Sequence, residues 1–255
     1  MLVPAILSII ALLAEQTPSS PSCTPIVGSA LVLAHEDKRF IIVGERHGTS
    51  EIPALFSDLI CAALSRGPVV VGLEIQADQQ ESLDRYMASE GDEAARLALL
   101  SNKHWRSTDG RASEAMFQLI DNVRRLGKAG KPVSLRALMP MGDSPEAREG
   151  AMGDAWKSSL AGRPDSLLLM LVGSIHAERE PMGNFTPAAH ALPSAQTLTL
   201  GYFTSGKRGI FVDAPAAWRW PHVDLYYSVG TPLSSSAISR AVHPTPSSPT
   251  IPPQQ

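Results

Sequence analysis

The chain has 255 residues, of which 44% are hydrophobic and 18% charged, with a formal net charge of -3. That is enough apolar material for a full core and excludes a chain disordered throughout. The near-balanced charge, with Lys and Arg scattered along the chain, excludes nucleic acid as the main partner.

Residues 2–14 are almost wholly apolar. The run is too short to span a bilayer comfortably and suits the core of a signal peptide or an uncleaved anchor, although no Lys or Arg precedes it. A Pro- and Ser-rich linker follows at 16–22. Residues 1–29 therefore read as an export signal or anchor with its linker, which predicts an exported protein, periplasmic or held at the membrane by its N-terminus. Residues 30–233 read as one α/β domain, and 234–255 as a disordered Ser/Pro/Thr-rich tail. The two cysteines, Cys23 and Cys61, could form one bridge. Cys61 lies in an apolar helical pattern and reads instead as a buried thiol.

Residues 39–43 form a short apolar run ending at Gly44, the pattern of a buried strand. Helical spacing follows over 51–64, with Ser50 expected as its cap. Residues 69–73 are a second strand delivering Glu74. Helical pattern resumes over 77–87 and, more loosely, 93–100. A polar loop at 102–110 leads into an amphipathic helix over 112–126. Residues 133–138 are a third strand, and 145–160 a helix weakened by two glycines. The most apolar run after residue 14, 167–172, reads as a central strand that delivers His176. Residues 196–202 form a further strand, and 209–212 with 223–227 a late hairpin or edge strands. This alternation predicts a three-layer α/β sandwich with a mainly parallel sheet, whose strand order cannot be read.

Ligands of such sheets bind beyond the carboxyl ends of the strands. Three of the apolar runs end in ionisable residues: Glu45 and His47 after the first, Glu74 after the second, His176 after the fourth. A histidine can take a proton from water near neutral pH, and a carboxylate bonded to it fixes the tautomer. A second His or an Arg can stabilise an oxyanion. The same four residues, Glu45, His47, Glu74 and His176, would equally serve as ligands of a divalent metal. Arg46 is a candidate substrate contact, or simply a surface partner of Glu51 or Asp78. Trp105 is expected to wall the pocket. Asp109 and Arg111 are expected beside the substrate, with Arg111 binding an anion or pairing with Glu74. His190 is within reach as a further contact, whereas His35, His222 and His243 read as bystanders or structural. There is no phosphate-binding Gly-rich loop followed by Lys and no His-Glu-x-x-His, and Ser174 lacks the setting of a nucleophile elbow.

These residues also carry a family resemblance. Gly44-Glu45-Arg46-His47-Gly48, Glu74 and Gly173-Ser174-Ile175-His176 resemble the superfamily of erythromycin esterases, ChaN-like haem-uptake lipoproteins and TraB/Tiki proteins. The stretch 105–116, with its Asp-Gly-Arg and Ser113, is most similar to the ChaN-like branch. So are Glu146-Ala147-Arg148-Glu149 through Met152, and Pro181-Met182-Gly183. The resemblance implies an α/β core with its site at the strand ends. The esterase branch implies an ester or amide hydrolase in which Glu45 and His47 activate water and Glu74 and His176 complete the site, acting on a small molecule or peptide. The Tiki branch implies metal held by His47 and His176. The ChaN-like branch implies haem or iron bound by a homodimer, without enzymatic activity.

Overall fold

Alternate residues of the strands feed two separate cores, and this divides the chain into three layers. The computed structural model describes residues 23–24, 26, 29–201, 203–205, 208–210, 218–220 and 223–228. The expected export segment, its linker, the tail, His222 and His243 lie outside the described residues. Among the described residues no helix is long and apolar enough to cross a membrane.

Five strands form the central sheet: β1 (Phe40–Glu45), β2 (Val69–Gln76), β3 (Val133–Met139), β4 (Leu167–Gly173) and β5 (Thr197–Gly201). They run in the order β3-β2-β4-β1-β5 and every neighbour is parallel. Helix α1 (Ser29–Leu33) precedes β1, and between the strands come α2 (Glu51–Ala63), α3 (Gln80–Ala88), α4 (Glu93–Leu100), α5 (Glu114–Lys128), α6 (Pro145–Ser159) and the short α7 (Ser174–Ala177). One face of the sheet, including Ile41, Val43, Val71, Leu169 and Leu171, packs with Leu55 and Phe56 of α2 and Leu119, Ile120 and Val123 of α5. The other face, including Phe40, Ile42, Val70, Leu168, Met170 and Val172, packs with Met152 and Trp156 of α6. This is the expected sandwich. Strands β1, β2 and β4 are buried on both faces, which is why they read as unbroken apolar runs rather than alternating ones.

Side chains set several boundaries. Asp92, Ser113 and Ser144 each accept from the backbone N–H three residues on, capping α4, α5 and α6. Ser50 makes no such bond; its own N–H donates to Glu51 Oε2 at 3.1 Å, so the expected cap is absent. Beyond β5 come β6 (Phe203–Ser205), β7 (Arg208–Ile210), β8 (Trp218–Trp220) and β9 (Val223–Ser228). Strand β9 joins β5 antiparallel and β7 pairs with β9 in parallel, so of the two arrangements expected for 209–212 and 223–227, a hairpin or edge strands, the structure has edge strands.

The reading of Cys61 as a thiol is also corrected. Cys23 and Cys61 are bridged, across a sequence separation of 38. Cys61 is only partly buried at the back of α2, where residue 23 reaches it.

Candidate active site

Strands β1, β2 and β4 lie side by side, so their carboxyl ends deliver their polar residues to one place. Glu45, the last residue of β1, is 3% exposed, and its Oε1 lies 3.0 Å from His47 Nδ1. A carboxylate only accepts, so this nitrogen carries the proton and Nε2 points away from Glu45. Glu74, at the end of β2, is 6% exposed and occupies the centre. Its Oε2 accepts the Gly173 N–H at 2.7 Å and lies 3.4 Å from His47 Nε2. Its Oε1 accepts Arg111 Nη1 at 2.9 Å and lies 3.7 Å from His176 Nε2. The four strand-end residues expected to converge do so.

Two loops complete the wall. The segment after α4, with a 3-10 turn at Lys103–Arg106, runs on to Asp109 and Arg111. Asp109 Oδ2 accepts Arg111 Nε at 2.9 Å, and the guanidinium holds this carboxyl well below the ordinary range. Arg111 is held more firmly charged, first by Asp109 and then by Glu74. This loop is pressed on the turn after β1. Gly48 and Gly110 both have positive φ, 84° and 94°, and a Cβ on Gly110 would stand 2.4 Å from the Gly48 nitrogen. Only glycine meets both demands. Beneath the loop His104 is 6% exposed and bonded to the Arg111 backbone; burial, with the Arg111 charge, pushes its pKa down, leaving a neutral ring.

Opposite these groups run Met139, Pro140, Met141 and Gly142 after β3, with Arg148 of α6. They enclose a cavity of about 380 Å³ with His47, Glu74, Gln76, Asp109, Arg111 and His176. That is within the range of small-molecule pockets. Burial works against a charged His47, but the bond to Glu45 and the charge of Glu74 outweigh it and raise its pKa. A basic imidazole, oriented by one acid and facing the cavity, is equipped to take a proton from water.

Three expected contacts lie elsewhere. Arg46 is exposed and outside the cavity lining; it pairs with neither Glu51 nor Asp78, and Asp78 is paired with Lys103. Trp105 is not a pocket wall. It packs edge-on against Phe117, ring centroids 6.3 Å apart, in the α5 core. His190 is exposed, with Nδ1 2.8 Å from the Arg179 carbonyl. One residue was missed. Glu149 of α6 is 1% exposed, and its Oε2 lies 2.8 Å from His176 Nδ1. Its signal is its position three residues before Met152 and seven before Trp156, on a helix face meant for the core.

The two imidazoles offer donors of the kind a divalent ion takes. Glu74 is already committed to Arg111 and to Gly173, and among the described residues no set of three or more His, Cys, Asp or Glu is arranged to hold an ion. The metal set expected of Glu45, His47, Glu74 and His176 therefore does not fit. Haem would meet a polar wall at this cavity. It wants an apolar slot below a free imidazole, whereas both Nε2 atoms face Glu74 and two arginines line the wall.

The motifs that build this wall can be set against known proteins. Residues 31–120 match the family model for haem-binding uptake, Tiki superfamily, ChaN. The ChaN/Tiki match covers about a third of the chain, from α1 into α5, and bears out the resemblance read from the strand ends. No curated protein matches significantly. A solved structure described as bacterial protein toxins has a TM-score of 0.51 at 20% identity, over 74% of this chain and 38% of that one. An erythromycin esterase mutant in its open conformation has a TM-score of 0.50 at 11% identity, over 72% of this chain and 78% of that one. At such identities the likeness is one of fold. The chain spans well under half the length of the toxin structure.

Proposed function

We propose that the cavity hydrolyses an ester or amide bond of a small molecule or peptide, with His47 as general base. The observation that carries this is the placement of His47 between two buried carboxylates, with Nδ1 tied to Glu45 and Nε2 turned to the cavity beside Glu74. A water on Nε2 gives its proton to the ring as its oxygen attacks the carbonyl carbon. Arg111, which lines the cavity, supplies the positive charge that would stabilise the oxyanion, and His176 Nε2, also lining it, can accept a hydrogen bond from the attacking water. As the tetrahedral species collapses, the imidazolium returns the proton to the leaving oxygen or nitrogen, so the ring ends as it began. The esterase among the similar folds is consistent with this chemistry.

The test is His47→Ala against a panel of esters and peptides. The variant should keep its far-UV spectrum and unfolding midpoint and lose activity by on the order of 10²–10⁴-fold. Full activity in the variant would remove His47 from the reaction. The family description favours a second reading, haem binding without catalysis. A Soret band at stoichiometric haem, with no hydrolysis by the wild type, would decide for it.

We also propose that the protein works outside the cytoplasm. The Cys23–Cys61 bridge supports this, because disulfides persist in oxidising compartments. Trapping free thiols in protein taken directly from cells would check it; two reactive cysteines would count against export.

A further inference from the structure

We propose that Glu149 is the positioning residue of His176, fixing its ring as the Nδ1–H tautomer so that Nε2 is presented to the cavity. Three observations carry this. Glu149 Oε2 lies 2.8 Å from His176 Nδ1, so that nitrogen must be the donor. The same oxygen accepts the Ala188 N–H at 3.0 Å, which pins the carboxylate between α6 and the 178–188 segment. The residue is 1% exposed on the face of α6 that also carries Met152 and Trp156, each fully buried. Its Oε1 is buried without a hydrogen bond, with Arg148 Nε at 4.0 Å.

An apolar side chain would sit on that face at lower cost, since a buried carboxylate must recover its desolvation through good bonds. The bond recovered here is to a histidine of the site. The outcome is a second carboxylate–imidazole pair that mirrors the first. Glu45 orients His47 and Glu149 orients His176, and both Nε2 atoms flank Glu74 at 3.4 and 3.7 Å. Substrate would meet two rings held in the same sense. Glu149 itself lies behind His176 and does not line the cavity.

The kinetic consequence rests on the hydrolytic reading; the tautomer does not. The first measurement is therefore the ¹⁵N spectrum of the wild-type histidines, with His176 assigned by its loss in His176→Ala. The neutral ring should be the Nδ1–H form, and an Nε2–H form would overturn the proposal whether or not any substrate is known. The second is Glu149→Leu, which removes the acceptor and keeps the volume. Its unfolding midpoint should fall, because the buried Ala188 N–H loses its acceptor; its His176 should lose the Nδ1–H bias, and kcat per folded molecule should fall about 10- to 100-fold with KM little changed. Glu149→Gln, whose carbonyl can still accept from Nδ1, should recover part of both. A Leu variant with unchanged tautomer and kcat would reduce Glu149 to a packing role. Should the Leu variant not fold, the wild-type spectrum still decides. If the wild type hydrolyses nothing while the tautomer is as expected, the hydrolytic reading fails and the positioning role stands.

Discussion

Adding one methyl group at residue 173 should separate catalysis from stability. A Cβ on Gly173 would lie 3.0 Å from His47 Nε2, 3.4 Å from His47 Cε1 and 3.3 Å from Glu74 Oε2. Heavy atoms in ordinary contact sit at roughly 3.5–4.0 Å, so the imidazole must retreat by about half an ångström, and the methyl intrudes where a water on Nε2 would sit. The backbone does not object: residue 173 has φ -52° and ψ 139°, open to alanine. Replacing Gly by Ala at a compatible position stabilises by about 0.4–1 kcal/mol through the unfolded chain, which offsets part of the crowding. Gly173→Ala should therefore stay within about 1 kcal/mol of the wild type in urea unfolding. A 1 Å misplacement costs about 10²-fold, so kcat/KM should drop roughly tenfold. Gly72→Ala is the control. Its Cβ would stand 2.5 Å from Met170 Sδ and 2.8 Å from Leu138 Cδ1, away from the site. It should cost about 1–3 kcal/mol of stability and leave the activity of the folded fraction unchanged. Undiminished kcat/KM in Gly173→Ala, at wild-type stability, would refute the assignment of His47 Nε2 as the reacting atom.

The rate should rise with pH, because the base works neutral, and the acid limb should inflect above the ordinary histidine value of 6.5; Glu45→Gln, measured over the same range, should move that inflection down. The raised pKa also links to stability: what a protonated His47 contributes is complete below its unfolded pKa and lost as pH rises through the folded one, so urea midpoints should decline across that interval and decline less in His47→Ala. Cys23→Ser with Cys61→Ser opens a loop of separation 38, for which chain entropy gives about 4 kcal/mol, and the urea midpoint should fall accordingly with the site intact. An unchanged midpoint would mean the bridge closes a loop already ordered when the chain unfolds.

The elements were legible because strands buried on both faces must be apolar throughout, and because polar residues at their ends have no core reason to be there. Glu45, His47, Glu74 and His176 announced themselves in this way. Strand order was not legible, since nothing local tells β4 that it pairs with β1 and β2. Glu149 was hidden by its helix, where Glu146, Arg148, Gly150 and Gly153 blur the apolar face. Trp105 and His190 lay near the site in the chain, but a side chain's direction is settled by whatever core or carbonyl it meets, and theirs were Phe117 and Arg179. The sequence allows the bridge without favouring it, because Cys61 sits among apolar neighbours and only the fold brings residue 23 alongside.

The sheet order bears on how the chain could be divided. Strands β1 and β2 both fall within residues 31–120, yet they never touch: β4, more than forty residues beyond that segment, is hydrogen-bonded to each of them. A fragment cut at the limits of the family match would contain two orphaned ribbons around an empty slot, so that stretch is a recognisable signature without being an autonomous module.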